Sequence, residues 1–117
     1  LMDISNPKGT IVVDLDDTLV HVTPIAPINF DIQNSFTIMI RKMKFYVQMR
    51  PHLRYFVEKM EKLFDINIFT ASKKEYANKI INSIFPNCKE CCLFFNDSCI
   101  KMNGYFVKDL KIIDKYI

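Results

Sequence analysis

The five residues Asp14-Leu15-Asp16-Asp17-Thr18 carry the side chains with the clearest capacity for chemistry. They directly follow an apolar run, and alternation along an extended backbone places Asp14, Asp16 and Thr18 on the same side. Two carboxylates held this close repel each other unless a cation lies beside them. Because oxygen ligands suit Mg²⁺, the spacing favours a divalent-metal site at the end of a strand.

Three interpretations of this acidic stretch compete. An EF-hand calcium loop needs Gly at its sixth position and Glu at its twelfth, where this chain has Leu19 and Ile25, so that interpretation fails. A solvated acidic turn is the plain alternative. A phosphoryl-transfer site is the third, and it gains support from Thr70, at the end of a second apolar run, and from Lys108. A hydroxyl and an ammonium group supply the donors and the positive charge that phosphoryl oxygens need.

The pattern around these residues indicates an α/β fold. Residues 10–14 and 66–70 each form a short apolar run, typical of strands buried on both faces of a parallel sheet. Residues 28–49 predict a small antiparallel hairpin, with strands at 36–40 and 45–49. Strand, hairpin, helix, strand and helix in this order indicate a partly parallel sheet whose carboxyl edge carries the ligand site.

Two amphipathic helices are expected between and after these strands. The first opens at Pro51 and buries one apolar stripe. Its members are Leu53, Phe56, Val57, Met60, Leu63 and Phe64. The second begins at a capping box of Ser72 and Glu75 and ends at Pro86-Asn87. Its buried residues are Tyr76, Ala77, Ile80, Ile81, Ile84 and Phe85. Beyond it we expect a short strand at 93–95, a turn at 102–105 and a helix from 109.

Composition places the chain among ordinary globular domains. Its 117 residues are 50% hydrophobic and 13% aromatic, which suffices for the core of a single domain, 1–117. With Gly9 and Gly104 as the only glycines, glycine-rich nucleotide loops are excluded. The net charge of +3 is interspersed, which argues against a nucleic-acid surface. No apolar run approaches the ~18 residues of a membrane span, and no signal-peptide pattern is present.

Four cysteines lie close together, at Cys88, Cys91, Cys92 and Cys99. The spacing contains one zinc-like pair but no second pair and no nearby histidine. Reduced thiols of an intracellular protein are therefore the favoured interpretation, with zinc binding as the alternative and a disulfide framework as the weaker one.

The stretch Val12–His21 resembles the first motif of the haloacid dehalogenase superfamily. Its form is that of the FCP1-like, or small CTD (C-terminal domain), phosphatases, also called NLI-interacting-factor-like. The similarity runs in collinear order through most of the chain. It includes Arg50-Pro51, Leu63-Phe64, Phe69-Thr70-Ala71-Ser72, Tyr76-Ala77, Asp97-Ser98-Cys99 and the segment Gly104–Leu110.

This resemblance implies an HAD-like fold, with a partly parallel Rossmannoid sheet and a small antiparallel insert after the first motif, and it implies a role for each site residue. Asp14 would be the nucleophile that becomes an aspartyl-phosphate, and Asp16 the general acid and base. Thr18 would steady their loop, Thr70 would bind a phosphoryl oxygen, and Lys108 would neutralise charge. Mg²⁺ would be held by the Asp14 carboxylate and the Asp16 main-chain carbonyl.

The resemblance also implies a substrate. The family acts on the phosphorylated tail of RNA polymerase II and on other phosphoserine proteins, which implies an intracellular, nuclear phosphatase of phosphoserine or phosphothreonine. Phe45, Val47 and Tyr76 occupy positions that line an apolar pocket beside the phosphoserine. Asn96 stands where the family has a phosphate-binding Arg, and Lys73 replaces an apolar pocket residue, which would favour a more acidic peptide.

One family feature is missing from the sequence. The fourth motif, an Asp-Asn pair whose Asp completes the metal site, should come later than Ile117, and Asp114 lies too early to replace it. The resemblance therefore implies either a C-terminally truncated domain or a protein deficient in metal binding. Because this motif is absent, the alternative to an active phosphatase is a catalytically impaired binding module or an inactive fragment. A truncated sheet would expose an unpaired edge and favour self-association.

Overall fold

Three β-sheets and two helices make up the part of the chain that this computed structural model describes, residues 9–88 and 93–111. In chain order the elements are β1 Gly9–Val13, β2 Val20–Thr23, β3 Ser35–Ile40, β4 Met43–Met49, α1 Leu53–Leu63, β5 Phe64–Phe69, α2 Lys74–Ile84, β6 Leu93–Phe94, β7 Ile100–Met102 and β8 Tyr105–Val107. The strands form sheets in the orders β1-β5-β6, β2-β4-β3 and β7-β8.

The first sheet is parallel, as the apolar runs predict. β1 pairs with β5 so that Val13 lies opposite Ile68, and β5 pairs with β6 so that Phe69 lies opposite Phe94. Parallel strands bring their carboxyl ends to the same edge of a sheet. The residues that follow β1 and β5 therefore meet there, and these include Asp14 and Thr70.

The small antiparallel sheet has three strands, whereas the sequence predicts two. β3 and β4 form the predicted hairpin, but residues 28–34 lie in turns, and β2 pairs with the other side of β4. β2 has only four residues directly after the acidic stretch, too few for a recognisable alternation. The turn at Arg41 and Lys42 has φ values of 48° and 71°, the left-handed conformation that a two-residue hairpin turn requires even without glycine.

α1 begins at Leu53, two residues later than the position of Pro51 predicts. His52, which precedes the helix, has a φ of 67°, and Phe64 belongs to β5. Only part of the expected stripe is covered: Leu53 and Val57 are buried, while the side chains of Phe56 and Leu63 are substantially exposed. The predicted stripe is too wide because α1 packs against little more than β5 and α2.

The capping box predicted for α2 is wrong. Lys73 is the N-cap residue, and no side chain caps the helix. The Ser72 hydroxyl instead donates to the Asp16 carboxylate, and Glu75 forms an ion pair with Arg41. The carboxyl group of Asp16, which approaches from the acidic loop, takes the Ser72 hydroxyl that would otherwise be available to cap the helix.

The buried face of α2 agrees with its pattern and forms the centre of the main core. Ala77, Ile80 and Ile81 are 0–1% exposed, and they pack with side chains of β4, β5 and the acidic loop. The side chains against which they pack include Val47, Met49, Ile66, Ile68 and Leu15. No helix in the described part of the chain has the length and apolar character needed to cross a membrane.

The last sheet is a hairpin with a tight turn. Asn103 and Gly104 have φ values of 50° and 82°, so the predicted turn at 102–105 is confirmed, while its flanking strands were not predicted. Both strands expose their side chains, including Met102 and Tyr105. The helix expected from residue 109 lies mostly outside the described residues. Lys108 follows β8 directly, so the hairpin determines where this lysine lies.

We expect Ile80→Ala to lower the free energy of unfolding by about 2–5 kcal/mol, because it leaves a cavity at a fully buried position. The matched control is Ile28→Ala, since Ile28 is fully exposed and its replacement should change stability by less than about 0.5 kcal/mol. Urea denaturation followed by circular dichroism measures both, and equal effects would contradict the assignment of the core.

We also expect a preparation of these 117 residues to self-associate. In the described part of the chain β1 and β6 pair on one side only, and the β7–β8 hairpin exposes apolar side chains. Sedimentation velocity over a tenfold concentration range measures this, and a monodisperse monomer at every concentration would count against it.

Candidate active site

The acidic loop is a tight turn organised around Leu15. The Leu15 side chain is fully buried, and its carbonyl oxygen accepts hydrogen bonds from the main-chain N–H groups of Thr18, Leu19 and Val20, at 3.3, 2.9 and 3.3 Å. Because Leu15 points into the core, its neighbours Asp14 and Asp16 are both only partly buried. The turn thus holds the two carboxylates at the edge of the parallel sheet.

Asp14 is surrounded by hydrogen-bond donors. The Lys108 Nζ lies 2.5 Å from Asp14 Oδ1, and the Leu15 N–H donates to the same oxygen at 2.9 Å. The Thr18 hydroxyl donates to Oδ2 at 3.1 Å. An ion pair bridging residues so distant in sequence fixes the β7–β8 hairpin against the loop.

These donors determine the charge of Asp14. Burial by itself would raise the pKa of the carboxyl, but the bond and the charge of Lys108, the Leu15 N–H and the Thr18 hydroxyl hold it below the ordinary value of 3.8. Asp14 is therefore ionised throughout the physiological range. The carboxylate also remains accessible, since its side chain is 44% exposed.

Asp16 is held differently, by neutral hydroxyl groups. The Ser72 hydroxyl donates to Asp16 Oδ2 at 2.5 Å, and the Tyr76 hydroxyl donates to Oδ1 at 2.9 Å. The Thr70 hydroxyl lies 3.5 Å from Oδ2, a long contact. No cation pairs with Asp16 among the described residues.

Thr70 and Tyr76 are fixed by the elements that carry them. Thr70 is almost completely buried, its N–H donates to the Phe94 carbonyl at 2.9 Å, and its hydroxyl accepts from the Ser72 N–H at 3.1 Å. The Tyr76 ring packs edge-on against Phe45, with centroids 6.3 Å apart. Burial raises the pKa of the Tyr76 phenol, and the neighbouring Asp16 raises it further, so the hydroxyl stays protonated and donates.

The five catalytic residues proposed from the sequence thus fall into two adjoining groups. Asp14 contacts Thr18 and Lys108, and Asp16 contacts Thr70. The parallel pairing of β1 with β5 joins the two groups, because it aligns the residues that follow each strand.

The four proposed substrate-binding residues are placed less uniformly. Phe45 and Tyr76 are partly buried and in contact, as a pocket wall requires. Val47 is 0% exposed, so its proposed place in the pocket surface is not supported: its side chain packs into the core beneath it. Asn96 lies in a short 3₁₀ helix, Asn96–Ser98, and its N–H donates to the Ser72 carbonyl at 3.1 Å, which places its backbone beside the site.

Sequence reasoning missed three functional contacts. The helix pattern predicts a cap for Ser72, and the family resemblance implies an apolar wall for Tyr76, but no local pattern links either hydroxyl to Asp16. Arg50 was noted only as part of a motif. Its Nε donates to the Thr18 carbonyl at 2.6 Å, which ties the end of β4 to the acidic loop.

A cleft of about 290 Å³ opens next to the acidic loop. Its walls come from the loop, from the start of β2 and from the end of β4. The lining residues are Asp17, Thr18, Leu19, Val20, His21, Gln48, Met49, Arg50 and Pro51. The His21 ring nitrogen Nδ1 lies 2.8 Å from Asp17 Oδ1 at its rim.

The oxygen groups at the acidic loop suit Mg²⁺ better than a softer metal. Mg²⁺ is usually bound through one or two carboxylates, with water and substrate phosphate completing its shell. The accessible Asp14 carboxylate fits this, although residues 9–88 and 93–111 contain no cluster of three His, Cys, Asp or Glu side chains able to hold a metal alone. Cys91 and Cys92 lie outside the described residues, so the zinc alternative stays a prediction.

The sequence of the chain is similar to those of known proteins. Residues 9–117 match the family profile of the NLI interacting factor-like phosphatases. The chain is 40% identical to CTD small phosphatase-like protein 3 of Caenorhabditis elegans, with 95% of the chain and 39% of that protein covered. It is 30% identical to nuclear envelope morphology protein 1 of Schizosaccharomyces pombe, with 100% of the chain and 25% of that protein covered. The chain thus spans well under half of these relatives.

A solved structure shows the same fold. Fission yeast RNA polymerase II CTD phosphatase Fcp1, in a variant bound to beryllium fluoride, superposes with a TM-score of 0.60 at 24% identity. The match covers 80% of this chain and 30% of that one. The expected HAD-like architecture, a parallel sheet with a small antiparallel insert, is therefore confirmed.

We expect Lys108→Met to raise the pKa of Asp14 above its value in the parent protein, because the ammonium group that offsets burial is removed while the Leu15 N–H and the Thr18 hydroxyl remain. Carbon-detected NMR titration of the Asp14 carboxyl in metal-free buffer measures this. Lys101→Met, at an exposed position of the same hairpin, is the matched control and should leave the titration unchanged. An unchanged midpoint in Lys108→Met would contradict the assignment.

The ion pair between Asp14 and Lys108 also predicts the direction in which stability changes with pH. Asp14 has a lower pKa folded than unfolded, so its contribution is complete above the unfolded value and is lost as the pH falls through the folded value. Unfolding free energies from pH 6 to pH 3 should therefore decline less steeply in Lys108→Met than in the parent.

Proposed function

The chain belongs to the NLI interacting factor-like phosphatases, and we propose that it hydrolyses phosphate monoesters on proteins through an aspartyl-phosphate intermediate. The observation that carries the proposal is the contrast between two neighbouring carboxylates. Asp14 contacts a cation, whereas Asp16 contacts only hydroxyl groups among the described residues. Titratable pairs whose surroundings differ in this way divide into nucleophile and acid/base.

Asp14 has the properties of the nucleophile. Its lowered pKa keeps it ionised, and its side chain is accessible to a substrate. Lys108 beside it offers positive charge to the oxygens of an incoming phosphoryl group, at the position where negative charge gathers in the transition state. Thr18 holds the second oxygen of the carboxylate and so orients the attacking one.

Asp16 has the properties of the acid and base. Its hydroxyl partners can donate to a carboxylate, and Ser72 and Thr70 can equally accept from a carboxylic acid, so the site accommodates both forms. A cation in the same place would hold the group as a carboxylate. Thr70, at the end of β5, contacts Asp16 Oδ2 at 3.5 Å and is almost completely buried.

The reaction then runs in two steps. An Asp14 oxygen attacks phosphorus, the bond between phosphorus and the seryl oxygen breaks, and that oxygen takes the proton of Asp16. In the second step a water molecule gives its proton to Asp16 and attacks the aspartyl-phosphate. Inorganic phosphate leaves, and both carboxyl groups return to their starting forms.

Magnesium fits the first carboxylate of this site. The Asp14 carboxylate and the main-chain carbonyl of Asp16 would hold the ion, which supplies positive charge to the phosphoryl oxygens when bound. The remaining ligands would come from the substrate phosphate, from water and from protein groups outside the described residues.

The substrate class follows from the relatives and from the pocket wall. The matched structure is that of an RNA polymerase II CTD phosphatase, and one relative is a nuclear envelope morphology protein, which supports a nuclear phosphoprotein as substrate. The Phe45–Tyr76 pair offers an apolar surface for a side chain near the phosphoserine. With Asn96 in place of a cationic residue, we assign neutralisation of the phosphate charge to Lys108.

We expect Asp14→Asn to lower the hydrolysis of p-nitrophenyl phosphate by about a thousandfold or more, because the nucleophile is removed. The whole protein, with any sequence beyond these residues, is assayed with Mg²⁺ and after chelation, which should abolish activity reversibly. Asp65→Asn, at an exposed position of β5, is the matched control. Activity that persists in Asp14→Asn would refute the proposed reaction.

A further inference from the structure

We infer that Ser72 and Tyr76 are positioning residues that hold the Asp16 carboxyl group for proton transfer to the leaving group. The inference rests on the proposed function, in which Asp16 is the acid. It assigns a role in the reaction to two hydroxyl groups. The helix pattern does not explain the Ser72 hydroxyl, and an apolar pocket wall does not explain the Tyr76 hydroxyl.

The geometry of the three residues supports this assignment. The Ser72 hydroxyl takes one carboxyl oxygen at 2.5 Å, and the Tyr76 hydroxyl takes the other at 2.9 Å. A carboxyl group held at both oxygens has a defined plane, whereas a single contact would leave it free to rotate about its Cβ–Cγ bond. Effective proton transfer requires such alignment, since small misplacements are costly to the rate.

Both hydroxyls are themselves fixed. Ser72 follows Thr70 at the end of β5, where its N–H donates to the Thr70 hydroxyl at 3.1 Å and its carbonyl accepts from Asn96. Tyr76 lies in the first turn of α2, next to the fully buried Ala77, and its ring packs against Phe45. The two donors are thus anchored to a strand end and to a core helix, not to a mobile surface.

Neither helix capping nor apolar packing accounts for these two hydroxyl groups. Ser72 does not cap α2, which begins at Lys74 without any side-chain cap. The burial of α2 comes from its apolar residues, and the Tyr76 ring could pack against Phe45 equally well without an oxygen. What the two hydroxyl groups add to the fold is their contact with Asp16.

If the Ser72 and Tyr76 hydroxyls orient the acid, the loss of either hydrogen bond should slow the reaction by an amount that depends on the leaving group. Serine is a poor leaving group and needs a proton as the bond to phosphorus breaks, whereas p-nitrophenolate leaves without one. The value of kcat/KM covers the steps up to the departure of the leaving group. Removing either hydrogen bond to Asp16 should therefore lower kcat/KM for a phosphoserine peptide and leave kcat/KM for p-nitrophenyl phosphate nearly unchanged.

The experiment compares the two substrates in the whole protein with Mg²⁺. We expect Ser72→Ala and Tyr76→Phe each to lower kcat/KM for a phosphoserine peptide by about tenfold, a part of the 10²–10⁴-fold that general acid catalysis supplies. For p-nitrophenyl phosphate the change should stay below about twofold. Asp16→Asn should lower the peptide value further and should also slow turnover of p-nitrophenyl phosphate, because it removes the base of the second step. Ser72→Thr, which keeps the hydroxyl, should retain most of the peptide activity.

Matched controls separate this role from a structural one. Ser83→Ala alters an exposed serine on α2, and Tyr55→Phe removes an exposed hydroxyl from α1. Both variants should leave kcat/KM unchanged for both substrates. Thermal unfolding of every variant shows whether the fold is intact.

Equal losses on the two substrates, or no loss on either, would overturn the inference and leave the proposed function standing. A parent protein that hydrolyses neither substrate, or an Asp14→Asn variant that hydrolyses both, would overturn the proposed function and the inference with it.

Discussion

Two carboxyl groups leave one strand two residues apart, and the constraint on the site is that each of them has a different kind of hydrogen-bond donor. Lys108 neutralises Asp14 from a hairpin almost one hundred positions along the chain, while Asp16 turns to hydroxyl groups at the junction of β5 and α2. Lys108 helps to hold the pKa of Asp14 below its ordinary value, whereas the hydroxyl groups at Asp16 can pair with either form of a carboxyl group.

Parallel pairing of β1 with β5 makes this division possible. It aligns Val13 with Ile68, so the chain leaves both strands at one edge and the acidic loop faces Thr70. The loop itself is held from two further sides, by the buried Leu15 beneath and by Arg50 at the end of β4. The small antiparallel sheet thus serves the site twice, since it anchors the acidic loop and also carries Phe45 to the ring of Tyr76.

The sequence predicted those features that repeat or that concentrate charge. The continuous apolar runs identified β1 and β5, and the alternating carboxylates identified the loop. It failed where a contact depends on tertiary structure: Ser72 has the sequence signature of a helix cap, and only the approach of Asp16 turns its hydroxyl elsewhere. Val47 likewise belongs to an alternating strand, yet burial on one face removes it from the pocket surface. Local pattern cannot report which partner a polar group finds.

The donors at the two carboxyl groups come from different parts of the chain. Lys108 reaches Asp14 from the position directly after β8, whereas Ser72 and Tyr76 reach Asp16 from the junction of β5 and α2. Tyr76 contacts both the Asp16 carboxyl group and the ring of Phe45, and its phenol remains a donor because the pKa is raised by burial and by Asp16. In the function that we propose, a substrate side chain packed against Phe45 and Tyr76 would therefore contact the residue that also holds Asp16, so that substrate binding and proton transfer would share a single side chain.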